Sequence, residues 1–288
     1  MFTTGTFCPY REIFCPPHAP VAAGRKRGGL RAYLVHYRSS FVPSDPRGIM
    51  RLRSLVVLPL ALLLSGACAS ATSRPVVAPV PIDLGGLQRY ARANAALAAP
   101  SAGEQRVVFY GNSITDAWAR YFPSMFPDKP YVGRGISGQT TPQMLVRFHQ
   151  DVVALRPAVV VILAGTNDIA GNTGPSTLEM IEDNLSAMTE IARQHHIRVV
   201  LSSVLPVFDY PWKPGLEPAP KIIALNAWMR QYAREVGETY LDYHTAMADA
   251  RGGLPVATSS DGVHPNAAGY AIMAPLAEAA IARALALR

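Results

Sequence analysis

The chain has 288 residues, 49% hydrophobic and 16% charged, which excludes a disordered polypeptide and leaves room for one or two domains. Three Cys exclude a disulfide-rich scaffold. The net charge of +7 sits at the front: residues 1–68 carry nine Lys/Arg against two Asp/Glu, residues 69–288 carry 18 of each, and the larger part has no excess to neutralise phosphates, so nucleic-acid binding is not expected.

Residues 50–68 read as a secretory signal. Arg51 and Arg53 precede a charge-free run from Ser54 to Leu64, and small residues follow. The run is too short to span a bilayer, which needs about 20 residues. Leu64-Ser65-Gly66-Ala67-Cys68 resembles a bacterial lipoprotein box, although Ser65 stands where an aliphatic residue is usual. This predicts lipidation of Cys68 and attachment to a membrane. Cleavage after Ala69 is the alternative and would release a secreted or periplasmic protein. Signals begin proteins, so translation is expected to start at Met50, with residues 1–49 a non-native, disordered upstream extension. Residues 69–82 read as a linker and 83–288 as one domain. No Cys lies beyond Cys68, so that domain has neither disulfide nor cysteine–zinc site.

Leu84, Leu87, Ala91, Ala95 and Ala98 recur at helical steps and predict a helix on the domain's outside. Continuous apolar runs at 107–110, 131–132, 159–163, 199–204 and 239–241 predict strands buried on both faces. Helical patterns over 141–155, 176–195, 219–236 and 267–287 alternate with them. This order predicts an α/β fold, a three-layer α/β/α sandwich around a five-stranded, mainly parallel sheet.

Ligands of open parallel sheets bind beyond the carboxyl ends of the strands. Polar clusters stand there: Gly111-Asn112-Ser113, Gly133 to Thr141, Gly165-Thr166-Asn167-Asp168, and Asp261-Gly262-Val263-His264 before the last helix. Ser113 needs a base to act as a nucleophile, and His264 is a candidate. Asp261, three residues earlier, can orient the imidazole. Gly138 offers an unobstructed backbone N–H, Asn167 a side-chain amide, and Ser113 its own N–H near a helix start, all suited to a developing oxyanion. Each also has a plain structural reading, as a helix cap or a turn residue. Their conjunction at strand exits favours chemistry.

These four blocks, in order, resemble the SGNH (GDSL-type) esterases and lipases, over roughly Arg106 to the C-terminus. The resemblance implies Ser113 as nucleophile, Asp261 and His264 as its partners, and Ser113, Gly138 and Asn167 as oxyanion donors, with no cofactor and no metal. Asn112 departs from the family, which usually has Asp there. G-x-S-x-G is absent, so the nucleophile elbow of the α/β-hydrolases is not used.

Hydrolysis of carboxylic esters through an acyl-enzyme is therefore expected. Acetylated carbohydrates, short acyl esters and lysophospholipids are the candidate small-molecule or glycan substrates, and no protein partner is predicted. Tyr210 and Trp212, in a Pro-rich loop with Phe208, and Trp118, just after the nucleophile, are candidate pocket walls. His149, His195, His196 and His244 read as surface or structural. The rivals are a metal-dependent phosphoesterase using Asp116, Asn167, Asp168, Asp261 and His264, and a non-catalytic glycan-binding envelope protein.

Overall fold

The computed structural model describes residues 82–287. The expected upstream extension and signal, Cys68, and the expected linker up to residue 81 lie outside the described residues.

Five strands form one parallel sheet: β1 (Val107–Gly111), β2 (Tyr131–Gly135), β3 (Val159–Leu163), β4 (Arg198–Ser202) and β5 (Thr239–Leu241). Their spatial order is β2-β1-β3-β4-β5. Every residue of β1 and β3 is buried, as expected for strands covered on both faces. Alternation sorts their side chains. Val108, Tyr110, Val160, Ile162, Val199 and Leu201 enter one core, where α4 (Thr141–Asp151), α6 (Leu178–Gln194) and α7 (Ala219–Val236) pack. Val107, Phe109, Val159, Val161, Leu163 and Val200 enter the other, with α2 (Ser113–Trp118), α3 (Phe122–Met125) and α9 (Ala267–Ala286). Helix α9 is apolar and long enough to cross a membrane by length and composition, yet Tyr270, Met273, Ala277, Ala280 and Ile281 are buried in this second core.

The expected architecture is observed, with local differences. The first helix, α1, spans only Gln88–Ala96, because Asp83 accepts the Leu87 and Gln88 N–H groups and turns the chain there. The pattern over 141–155 breaks after Asp151, and Val153–Leu155 forms a separate 3₁₀ turn. Strand β2 runs three residues past the apolar pair 131–132, because Gly133 and Gly135 carry no hydrophobic signal. Two further one-turn helices, α5 (Thr166–Ile169) and α8 (His244–Met247), follow β3 and β5.

In this topology the chain leaves β1 toward β2 on one side and later fills β3 on the other. The carboxyl ends of β1 and β3 therefore flank a switch point, the place where open parallel sheets bind ligands.

Candidate active site

Ser113 is the first residue of α2, directly beyond β1. Asn112 caps the helix: its Oδ1 accepts the Ile114 N–H at 3.1 Å. Its Nδ2 is buried and has no partner among the described residues. Gly111 serves close approach rather than a special turn. A Cβ there would lie 2.2 Å from Thr115 Oγ1 and 2.8 Å from the Leu163 carbonyl, and its φ is not positive. The Ser113 N–H belongs to the first helical turn, which leaves it without an intrahelical acceptor.

His264 reaches Ser113 across 151 residues of chain. Its Nε2 lies 2.8 Å from Ser113 Oγ, and its Nδ1 lies 2.7 Å from Asp261 Oδ2. Asp261 Oδ1 accepts from the Val263 N–H, the His264 N–H and Ser259 Oγ. Burial pushes the Asp261 carboxyl up, but the His264 N–H, the imidazole and the Val263 N–H outweigh it and hold the group down at about 2. An ionised carboxylate can only accept, so Nδ1 carries the ring proton and the Nε2 lone pair faces the serine hydroxyl.

Two potential donors face the same rim. Gly138 follows β2 in a turn with φ +78, a conformation that L side chains rarely adopt. Nothing lies within 4 Å of where its Cβ would be, and its N–H has no partner among the described residues. Asn167, 3% exposed, stands in α5 just after β3. Its Nδ2 donates to the Gln139 carbonyl at 2.8 Å. Its Oδ1 accepts from Asn172 Nδ2 at 3.0 Å. Asn172 Oδ1 in turn accepts from the indole Nε1 of Trp212 at 3.2 Å.

The structure thus brings Ser113, Asp261, His264, Gly138 and Asn167 to one rim of the sheet. Trp212 joins them: it is 46% exposed, and its ring centroid lies 6.3 Å from that of His264. The other two proposed walls do not. Trp118 is 1% exposed, stacked on Tyr270 and edge-on to Phe109, so it fills the core beneath α2. Tyr210 is fully buried. Its hydroxyl bonds Thr166, and burial pushes its pKa up to about 12. Both aromatics were expected to face ligand. The hydrophobic effect instead draws them inward, and Tyr210 backs Trp212 at 5.1 Å.

The carboxylates invoked for a metal are engaged elsewhere. Asp168 accepts from the Thr141 N–H and Oγ1, anchoring α4; burial raises its pKa, and the Thr141 donors pull it back in part. Asp116 pairs with Arg89 and accepts from Ser137.

Sequence reasoning missed three supporting residues. Arg147 is fully buried. It donates to the Gly111 and Arg134 carbonyls and to Gln139 Oε1, and pairs with Asp151 at 3.0 Å. It therefore ties the strand end before Ser113 to the loop after β2. The signal available was an Arg and an Asp four residues apart on an otherwise apolar helix face. Ser259, two residues before Asp261, was visible as a neighbouring donor. Asn172 had no decisive local signal: Asn167 lies five residues before it, but Trp212 and Gly138 come from other segments.

The profile of the GDSL-like Lipase/Acylhydrolase family matches residues 109–272. The chain is 44% identical to a protein of Bacteroides fragilis classed as an acylhydrolase, whose crystal structure superposes with a TM-score of 0.69 over 71% of this chain and 100% of that one. A GDSL-like lipase of Bacteroides thetaiotaomicron is 43% identical, with a TM-score of 0.67 over 70% and 99% of the two chains. A stretch of 78 residues, 26% of this chain, is 33% identical to the uncharacterized lipoprotein YqeF of Bacillus subtilis, and the match spans about a third of that relative, 32% of its length.

Proposed function

The chain belongs to the GDSL-like lipase/acylhydrolase family, a family of ester hydrolases, and we propose that it cleaves carboxylic esters through an acyl-enzyme on Ser113. The observation that carries this reading is the unbroken line from Ser113 Oγ through the His264 ring to the Asp261 carboxylate, at 2.8 and 2.7 Å.

The steps follow from that geometry. His264 Nε2 takes the hydroxyl proton as Oγ attacks the ester carbonyl. Asp261 fixes the ring tautomer and stabilises the imidazolium that forms. The tetrahedral oxygen receives hydrogen bonds from the Gly138 N–H, the Ser113 N–H and the free N–H of the Asn167 amide. His264 then returns its proton to the leaving alcohol. Water, deprotonated by the same nitrogen, attacks the acyl-enzyme; the acid leaves and the imidazolium returns the proton to Ser113 Oγ. No step requires a cofactor.

For substrate, the site suits a short acyl group on a bulky alcohol, such as an acetylated carbohydrate. The His264 ring is itself partly exposed, and the exposed Trp212 indole beside it offers an apolar face to a sugar ring. Simple short acyl esters and lysophospholipids are the other candidate substrates. We also propose export, with a lipid on Cys68 holding the domain at the envelope. The lipoprotein-box resemblance and the likeness to a protein named as a lipoprotein support this.

The test is a panel of acetyl-sugar, short acyl and lysophospholipid esters with wild type and Ser113→Ala. Wild type is expected to hydrolyse at least one class, to be labelled at Ser113 by a fluorophosphonate and to ignore chelators. Ser113→Ala is expected to lose about 10⁴-fold or more in kcat. Equal, background rates for both proteins would end the esterase reading and favour a glycan-binding role.

A further inference from the structure

The two ends of an asparagine amide are alike in shape and opposite in hydrogen bonding. Asn167 can serve an oxyanion only if its NH₂ end faces the substrate. Its Nδ2 donates one proton to the Gln139 carbonyl, which can only accept, and this leaves the second proton free. Its Oδ1 accepts from Asn172 Nδ2. Were Asn172 reversed, two amide oxygens would face each other and Asn167 would be driven to turn over.

Trp212 removes that ambiguity. An indole N–H only donates, and it lies 3.2 Å from the Asn172 side-chain oxygen. Asn172 must therefore present its NH₂ end inward. That same nitrogen lies 3.4 Å from the Gly138 carbonyl, so it also touches the turn that carries the other backbone donor. Polarity runs one way along the chain Trp212, Asn172, Asn167, Gln139. A main-chain bond also joins the two residues: the Asn172 N–H donates to the Asn167 carbonyl at 3.0 Å.

We propose that Asn172, oriented by the Trp212 indole N–H, is a positioning residue that holds the Asn167 amide in its oxyanion-binding orientation. The inference rests on the reading of Asn167 and Gly138 as oxyanion donors. It gives Trp212 a second role besides that of a wall.

The test measures kcat and KM on p-nitrophenyl acetate for wild type, Asn167→Ala, Asn172→Asp, Asn172→Ala and Trp212→Phe, with circular dichroism to verify folding. Asn172 and Trp212 are exposed, so these variants are expected to fold. Asn167→Ala should lower kcat by about 10²–10³. Asn172→Asp keeps the shape, but its carboxylate cannot donate and attracts the Asn167 NH₂ instead. It should lower kcat by about 10–100-fold at pH 8 with KM within about threefold. The ratio of its kcat to that of wild type should rise as pH falls toward 5, because a protonated carboxyl can donate again. Asn172→Ala and Trp212→Phe should each lose about 3–10-fold in kcat. If Asn167→Ala is impaired while Asn172→Asp or Trp212→Phe stays within twofold of wild type, the proposal is overturned. If Asn167→Ala is itself unimpaired, the oxyanion reading fails first and the proposal falls with it.

Discussion

The two arms of the proposed site are built differently. The base arm is local: Asp261 accepts from Ser259, Val263 and twice from His264, all within three residues of itself. The donor arm is assembled from afar. Gly138 and Gln139 follow β2, Asn167 lies in α5 and Asn172 just after it, and Trp212 comes from the loop after β4. A local arm depends on one turn and withstands changes elsewhere. A distributed arm depends on the packing of the whole sheet edge, and so can be altered from several places.

The largest effect is expected where the local arm is cut. Asp261→Asn keeps the size of the side chain but presents an amide that can also donate, freeing the ring to adopt the wrong tautomer. A loss of about 10⁴ in kcat is expected, with KM little changed. The same residue makes a prediction about acid. Its carboxyl is held at about 2 in the folded chain, below its ordinary 3.8. A depressed pKa contributes stability that is fully present above the unfolded value and lost as pH falls through the folded one. The melting-temperature gap between wild type and Asp261→Asn should therefore be constant above about pH 5 and close between pH 4 and 2. A gap that closes at higher pH would mean that the carboxylate is not held by these N–H groups.

The next effect strikes the root of the donor arm. Arg147→Met removes the buried guanidinium that joins the Gly111 carbonyl to Gln139, and leaves Asp151 buried without its cation. A stability loss of about 3–5 kcal/mol is expected by chemical denaturation. Pairing it with Asp151→Leu should recover much of that stability, because the uncompensated charge is gone. Activity should not recover, since Gln139 and the turn at Gly138 lose their tie. Recovery of both would show that Arg147 serves only to neutralise Asp151.

The contrast between the arms also explains what could be read from the chain before its structure. Asp261 and His264 were legible because three residues of separation lets one turn join them. Ser113, Gly138 and Asn167 were legible as polar residues at the ends of apolar runs, where a parallel sheet opens its crevice. The strands were legible wherever Val and Ile ran unbroken, and β2 was cut short where glycine replaced them. Asn172 and the fates of Trp118 and Tyr210 were not legible, and Arg147 left only the trace of an Asp four residues on. Each depends on which segments lie side by side, and an aromatic residue near a strand end reads the same whether it faces ligand or core. Trp118 is claimed by the cluster of Phe109, Phe122, Phe126 and Tyr270. Phe122 and Phe126 follow four and eight residues on, but Phe109 and Tyr270 come from β1 and α9, and only the fold brings them to Trp118.

The smallest expected effect lies where the two arms join. Asn112 stands where the family's G-D-S-L motif has Asp, and it does two opposite things. Its Oδ1 caps α2 through the Ile114 N–H, while its Nδ2 is buried with no partner among the described residues. Losing a cap of this kind costs about 1 kcal/mol, and losing an unsatisfied buried amide returns part of that. Asn112→Ala should therefore destabilise by no more than about 1 kcal/mol in a denaturant titration. Asn112→Asp keeps the cap and replaces the orphan donor with an acceptor at a helix N-terminus, where negative charge is favourable. It should leave kcat within about threefold of wild type, because the residue 112 side chain bonds the Ile114 N–H and not His264, Gly138 or Asn167. A larger change in either direction would mean that the cap residue sets the angle at which α2 presents Ser113, and would make the turn after β1 a third arm of the site.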